Sequence, residues 1–177
     1  MKEVRGQVWI ETVIYTLIAF VIIGLVLSFA KPKIEEFQDK AVIEQSINIL
    51  KDIDTIITEI ERYGVGNQRE LDIGITKGEL TINGITNLLV FEIESRYQYS
   101  EPGTDLAEGG LIINTEKKGD LNIVKLTKNY DSNYDLFYQQ ETNGKKIISQ
   151  AASEYKLVIS NEGINMNGKT KINFGVN

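Results

Sequence analysis

The sequence of 177 residues contains no cysteine and no histidine, and it has only two prolines. Without cysteine no disulfide can form, so packing and hydrogen bonds alone must hold the fold. Cysteine and histidine are also the usual ligands of structural zinc and the residues behind most nucleophile–base pairs, so their absence excludes many enzyme classes. The formal net charge is −6, which argues against the clustered basic residues that nucleic-acid phosphates require. We expect that the protein is not an enzyme and that it binds no cofactor, no metal and no nucleic acid.

Charge is also missing from one long stretch near the N-terminus. Residues 12–30 include no charged side chain, and Val, Ile, Leu, Phe and Ala fill most of the run. About 20 helical residues cross the roughly 30 Å hydrocarbon core of a bilayer, and this run is apolar on all sides, which predicts a membrane-spanning helix. Glu11 stands at the head of the run. An ionised carboxylate at the edge of lipid is costly, so it indicates a function or a partner of opposite charge.

Beyond Pro32 the pattern becomes amphipathic. Aliphatic residues recur at three- and four-residue steps, which predicts a helix with one buried face. These residues are Ile43, Ile47, Ile49, Leu50, Ile53, Ile56, Ile57 and Ile60. The charged residues expected on the opposite, solvated side are Glu35, Glu36, Asp39, Lys40, Glu44, Lys51, Asp52 and Glu61. Gly64 and Gly66 are predicted to end a single helix that runs from about Val8 to Tyr63.

From Asn67 onward the sequence has strand character. Three Asn-Gly dipeptides separate β-branched or alternating runs, and Asn-Gly favours two-residue hairpin turns with positive φ. The predicted hairpins pair Glu79–Ile82 with Ile85–Glu94 across Asn83-Gly84, Asp135–Gln140 with Lys145–Gln150 across Asn143-Gly144, and Ile164–Met166 with Thr170–Phe174 across Asn167-Gly168. Further strands are expected at Leu111–Thr115, Leu121–Lys128 and Tyr155–Ile159, and a turn-rich loop at residues 101–110. The predicted fold class is α+β, with the amphipathic part of the long N-terminal helix packed on an antiparallel β-sheet or β-sandwich head.

The first eleven residues carry a pattern of their own. Arg5-Gly6-Gln7 is followed by Glu11, the fifth residue counted from Gln7, and then by the unbroken apolar run. This arrangement resembles the class III signal peptide of archaeal type IV pilins. The resemblance implies that a prepilin peptidase cuts between Gly6 and Gln7, that Glu11 is the assembly glutamate, and that the helix becomes the packed core of a filament. It assigns the following residues to the membrane or filament core: Val13, Ile14, Leu17, Ile18, Phe20, Val21, Ile22, Leu25, Leu27 and Phe29.

The resemblance also implies an organisation and a function. The chain would divide into a leader (1–6), a hydrophobic helix (7–31), an amphipathic helix (32–64) and a β head (65–177). It would be a structural subunit of a surface filament, held in the cell membrane before assembly and carrying its head outside the cell. The implied partners are further copies or other pilins, the prepilin peptidase, the assembly ATPase with its membrane platform, and lipid before assembly. Whether the filament serves adhesion, motility, uptake or secretion is left open.

Two other functions stay open at this point. The chain could be a membrane-tethered extracellular binding or sensor domain, or a secreted β-domain protein cleaved after Ala30, where Ser28-Phe29-Ala30 is similar to a small-x-small cleavage site. Five tyrosines could form an adhesive patch or pack within the head: Tyr97, Tyr99, Tyr130, Tyr134 and Tyr138. Four acidic residues lack the spacing of a calcium loop and are expected to be solvated: Asp105, Glu108, Asp131 and Asp135.

Overall fold

A computed structural model describes the backbone of residues 3–141 and 144–176, with side chains from residue 8 onward within those ranges. In this part of the chain one helix, α1 (Glu3–Tyr63), precedes ten strands. The strands are β1 (Gln68–Ile73), β2 (Glu79–Asn83), β3 (Leu88–Ser95), β4 (Asp105–Glu108), β5 (Leu111–Lys118), β6 (Leu121–Asn129), β7 (Tyr134–Tyr138), β8 (Lys145–Ser149), β9 (Tyr155–Ile164) and β10 (Thr170–Val176). The predicted α+β class, with one long helix ahead of a β region, is confirmed.

The chain forms two compact units, Met1–Gln38 and Asp39–Asn177. We call the first the helical unit and the second the head. The head contains the last part of α1 and all ten strands. The predicted divisions after residues 6, 31 and 64 stay predictions.

The end of α1 is built as the sequence predicts. The N–H of Gly64 donates to the carbonyls of Ile60 and Glu61, at 3.1 Å each, and Gly64 has a φ of +92°. A left-handed residue at this position lets the chain leave the helix while its last carbonyls stay hydrogen-bonded. The side-chain amide of Asn67 donates to the carbonyls of Tyr63 (2.9 Å) and Gly64 (3.0 Å), which closes the cap.

The strands form two sheets. The smaller sheet has the order β1-β9-β10-β7, in which β7 and β10 are parallel and the other pairs antiparallel. The larger sheet has the order β4-β5-β6-β3-β2-β8 and is antiparallel throughout. The parallel pair departs from the all-antiparallel expectation, because β7 and β10 belong to distant segments and no hairpin fixes their direction.

One hydrophobic core joins the second part of α1 to both sheets. Ile43, Leu50, Ile53 and Ile60 are fully buried, as the aliphatic spacing predicts, whereas Ile56 is half-buried. Each fully buried aliphatic side chain contributes about 1.5–3 kcal/mol relative to exposure in water. The amphipathic half of α1 is therefore a central element of the head.

The first Asn-Gly dipeptide connects the predicted strands, but through a longer turn. β2 and β3 pair with Asn83 opposite Leu88, so four residues separate them instead of two. Gly84 does not have a positive φ; the left-handed residue is Asn87, at +52°. A Cβ on Gly84 would lie 2.6 Å from the carbonyl oxygen of Leu136. Glycine is needed here because another backbone passes close by, and not because of its φ.

The hairpin predicted across Asn143-Gly144 is wrong. β7 pairs with β10 in the smaller sheet, and β8 pairs with β2 in the larger one. The chain already turns at Gln139 and Gln140, which both have positive φ, and the N–H of Glu141 donates to the carbonyl of Tyr138 at 3.0 Å. The Asn-Gly dipeptide therefore predicts the wrong strand partners, because the pairing of strands depends on contacts over the whole sheet and not on the local turn. Asn143 itself lies outside the described residues.

The predicted strand Ile164–Met166 is wrong beyond Ile164, because Asn165 and Met166 lie in the turn. The hairpin itself at Asn167-Gly168 is confirmed, with Ile164 opposite Thr170. Its turn is longer than predicted, because the Oδ1 atom of Asn165 accepts the N–H groups of Asn167 (2.8 Å) and Lys169 (2.9 Å). The predicted strand at 155–159 is part of β9, which continues to Ile164. The strand β1 was not predicted, and β4 lies inside the segment that was expected to be a loop.

Candidate assembly surface

The helical unit presents an apolar surface on every side. All described side chains from Val8 to Phe29 are exposed, and they include every residue predicted for the membrane or filament core. The large exposed apolar side chains are Val8, Trp9, Ile10, Val13, Ile14, Tyr15, Leu17, Ile18, Phe20, Val21, Ile22, Ile23, Leu25, Val26, Leu27 and Phe29. Among the described residues α1 is the one helix long and apolar enough to cross a membrane. This unit is therefore compatible with membrane anchoring.

The threonine and serine hydroxyl groups of this surface are satisfied within the helix. Thr12 donates to the carbonyl of Val8 at 2.9 Å, Thr16 to that of Thr12 at 2.8 Å, and Ser28 to that of Leu25 at 2.9 Å. A polar group in hydrocarbon must find its partner inside the protein, since no water is available there. Threonine and serine can therefore lie in lipid or in a helix bundle without an unmade hydrogen bond.

Glu11 is the one ionisable carboxylate on this surface between Val8 and Ala30. Its side chain is exposed, and no described residue pairs with it. The 19 residues from Thr12 to Ala30 span about 28 Å as a helix, close to the thickness of a hydrocarbon core. If that core covers Thr12 to Ala30, Glu11 stands at its edge. The side chains of residues 3–7 are outside the described part of the structure, so Gly6 and Gln7 stay a predicted processing site.

Beyond Ala30 the charges of the helical unit pair with each other. Lys33 lies 2.6 Å from Glu36, and Lys31 lies 3.9 Å from Glu35. The unit contains equal numbers of acidic and basic residues, so the formal charge of −6 belongs entirely to the head. Exposed pairs of this kind contribute at most about 1 kcal/mol each.

One acidic residue expected on the solvated side of α1 is buried. Asp39 is only 5% exposed; its carboxylate accepts a hydrogen bond from Lys77 and another, at 2.6 Å, from the backbone N–H of Arg96. The prediction for Asp39 is wrong, because the helical spacing cannot show that the fold supplies a lysine and a backbone donor. A buried carboxylate needs such partners to offset the loss of hydration.

Two further acidic residues attach α1 to the sheets. Asp54 pairs with Lys128 of β6 at 2.9 Å, and Glu61 accepts hydrogen bonds from the hydroxyls of Tyr134 (2.6 Å) and Thr170 (3.2 Å). Hydrogen bonds to charged groups contribute more than neutral ones. They act with the apolar core to fix α1 within the head.

The tyrosines pack within the head. Tyr130 is buried, and Tyr97, Tyr99, Tyr134 and Tyr138 are half-buried against the core. Burial raises the pKa of the Tyr99 hydroxyl to about 12, and its 3.1 Å hydrogen bond to Glu108 acts in the same direction. Burial likewise raises the pKa of Tyr130 and of Tyr134. Their positions favour a packing role over an adhesive patch.

The four acidic residues Asp105, Glu108, Asp131 and Asp135 all have partners. Asp105 accepts from the amide of Asn114 at 2.7 Å and Glu108 from Tyr99, whereas Asp131 and Asp135 lie 3.0 and 3.8 Å from Lys169. Hydrogen bonding from Asn87, and then Lys169, lowers the pKa of Asp131. Within the described residues no group of three acidic side chains is arranged to hold a metal.

Comparison with known proteins returned no match: no protein-family model, no curated protein and no solved structure matches the chain. The function therefore has to be inferred from the residues themselves. The feature that stands out is a wholly exposed apolar helix, with one carboxylate at its head, attached to a folded β domain.

Proposed function

We propose that the chain is a structural subunit of a type IV pilus-like surface filament, cut between Gly6 and Gln7 and polymerised through the apolar part of α1. The observation that supports this most is the contrast between the two units. The head has a closed core of its own, whereas every described side chain of the helical unit up to Phe29 is exposed. Such a surface needs an apolar environment, and the packed helices of further copies supply one.

Glu11 gives this assembly a register. Cleavage before Gln7 creates an amine that is mostly cationic at neutral pH. Glu11 lies four positions after Gln7, so the two groups share a face of one helix, or the amine of an arriving copy meets Glu11 of its neighbour. Removing one partner of a buried ion pair costs about 3–5 kcal/mol, because the remaining charge is uncompensated. Arrangements that leave Glu11 without an amine are disfavoured accordingly.

The same surface supports the stage before assembly. Because the hydroxyls of Thr12, Thr16 and Ser28 bond within the helix, the unit can wait in the membrane as a spanning segment. The proposed partners at this stage are lipid, a prepilin peptidase, and an assembly ATPase with its membrane platform. The head then lies outside the cell, first at the membrane and later along the filament.

The first experiment is to determine the N-terminus of the native protein by sequencing and intact mass. We expect Gln7 with a free amine; a cyclised glutamine would still show the cleavage but, since it has no cationic amine, would refute the pairing with Glu11. A protein beginning at Met1 or Lys2 would favour the membrane-tethered binding domain, and one beginning at Lys31 would favour the secreted domain. Either result would overturn the proposal.

The second experiment replaces Glu11. Glu11→Ala should leave cleavage and membrane insertion intact, yet cells should show no surface fibres by electron microscopy. Glu36→Ala is the matched control, because it removes another carboxylate of α1, one that is half-buried and, among the described residues, pairs with Lys33 beyond the apolar run. Normal fibres from Glu11→Ala would refute the pairing mechanism and leave the filament assignment standing.

A further inference from the structure

The larger sheet of the head has an open edge at each end. β4 pairs only with β5, and β8 pairs only with β2, among the strands that the structure describes. An edge strand presents unpaired N–H and C=O groups to any strand that can approach it. These two edges belong to one sheet, so any contact between them joins two copies of the chain.

The two edges carry opposite charges. β4 includes Asp105 and Glu108, and β8 includes Lys145 and Lys146. Lys145 is exposed and has no ion-pair partner among the described residues. Like charges on both edges would keep copies apart, whereas these charges attract the β8 edge of one copy to the β4 edge of another.

Strand direction is also compatible. Each neighbouring pair of the six strands is antiparallel, so β4 and β8, at the two ends, run in opposite directions. Placing β8 of one copy beside β4 of the next therefore continues the antiparallel pattern without turning either sheet over. When Ala107 of one copy is placed opposite Ile147 of the other, Glu108 faces Lys146.

One row of side chains on the outer face of the sheet indicates the same register. The row crosses all six strands through successive paired residues: Ala107, Ile112, Thr127, Val90, Thr81 and Ile147. Thr127, Val90 and Thr81 are half-buried by their neighbours, whereas Ala107 and Ile112 at one end and Ile147 at the other are exposed. Continuing the sheet into a second copy brings Ile147 beside Ala107 and covers both.

We propose that the heads of neighbouring copies join edge to edge, with β8 of one copy paired to β4 of the next. The contact is head-to-tail, so each copy keeps one free edge for the next copy and the contact can repeat along a filament. It rests on the filament function proposed above, and it adds a specific contact between heads to the packing of the helices.

A pair of cysteines tests this contact directly, because the native chain contains none. Within one copy, residues 107 and 147 lie at opposite edges of six strands, about 24 Å apart at roughly 4.8 Å per spacing. A disulfide requires Cα atoms within about 7 Å, so a bond between these positions must join two copies.

The experiment is to express the full chain carrying both Ala107→Cys and Ile147→Cys, collect filaments, oxidise them mildly and run non-reducing gels. We expect a ladder of dimers, trimers and longer species that reduction collapses. Each single-cysteine variant should give no ladder. The matched control combines Ala107→Cys with Asp72→Cys on β1 of the smaller sheet, and it should also give none.

Filaments of the double variant that yield no ladder would overturn the edge contact and leave the filament function intact. Dimers formed by Ile147→Cys alone, in the same amount as by the double variant, would indicate symmetric pairing of β8 edges and would also overturn the proposed contact.

If the double variant makes no filaments, Lys145→Glu in the cysteine-free chain provides a second test, with exposed Lys117→Glu as control. We expect about twofold shorter fibres from Lys145→Glu only, and equal lengths would count against the contact. Absence of fibres from the unaltered chain would refute the filament function instead.

Discussion

The ion pair at the start of the buried part of α1 allows a quantitative prediction. The Asp39 side chain is 7% exposed and accepts from Lys77, whose side chain is 39% exposed, and from the backbone N–H of Arg96. The two partners of Asp39 therefore differ in how easily water can replace it. This difference makes the two single substitutions unequal.

Asp39→Ala removes the acceptor of the backbone N–H of Arg96, which should lower the free energy of unfolding by about 1–3 kcal/mol. Lys77 can turn toward water, so its lost ion pair adds only about 1 kcal/mol, and the total is about 2–4 kcal/mol. Lys77→Ala leaves the buried carboxylate of Asp39 with one hydrogen bond, and it should lower the free energy of unfolding by about 3–5 kcal/mol. The double variant should cost less than the sum of the single ones, because it removes the unpaired charge.

The assay is denaturant unfolding of the full chain in detergent, followed by tyrosine near-ultraviolet circular dichroism. Seven of the eight tyrosines lie in the head, so the signal reports its unfolding. Asp52→Ala, an exposed acidic residue of the same helix without a described partner, is the control and should change stability by less than about 0.5 kcal/mol. If Asp39→Ala and Lys77→Ala match this control, the buried pair contributes nothing and the reasoning is wrong.

Three further predictions concern the head. Asn161→Ala removes the amide that donates to the last turn of α1 at 3.2 Å, and it should cost about 1–3 kcal/mol and speed hydrogen exchange in that turn. Gly84→Ala places a Cβ 2.6 Å from a backbone oxygen and should lower the denaturation midpoint by more than Gly168→Ala, where the new Cβ meets open space and only the φ of +80° opposes it. The pKa of Tyr99 is raised from 10.0 to about 12, so its contribution to stability is fully present below pH 10.0 and is lost as pH rises through about 12. Tyr99→Phe should reduce the alkaline loss of stability, and an unchanged pH profile would contradict this.

The helix could be predicted from the sequence because its signals are local. The uncharged run, the aliphatic spacing of residues such as Ile43 and Ile60, and the glycines at 64 and 66 each act within one or two turns. Glu11 stood out for the same reason, as the one charge at the head of an apolar run. Nothing in the sequence, however, predicts which carboxylates of the amphipathic half find a partner, so the helical spacing places Asp39 on the wrong side.

The strands could be predicted better than their pairing. The runs around β2, β3, β5, β6, β9 and β10 are rich in β-branched and other apolar residues, whereas β1 and β4 are mostly polar or exposed. Asn-Gly predicts a turn by its own φ preference, but Gly84 is required by the approach of Leu136, which is distant in sequence. The open edges of the larger sheet follow from the strand order, which no local pattern contains.

The apolar surface of the helical unit also sets how the proposed filament should dissolve. Moving the helix from lipid into a bundle exchanges one apolar environment for another, so the hydrophobic effect does not decide the direction of that step. Exposing sixteen large apolar side chains to water is different, since each costs about 1.5–3 kcal/mol. Salt screens charged contacts but leaves this cost in place. We therefore expect filaments to persist in 1 M salt, where the electrostatic screening length falls to about 3 Å. They should dissolve in detergent, which replaces the apolar environment of the helices. Sedimentation of filaments under the two conditions measures this. Dispersal by salt alone would mean that the charged heads, and not the helices, hold the copies together.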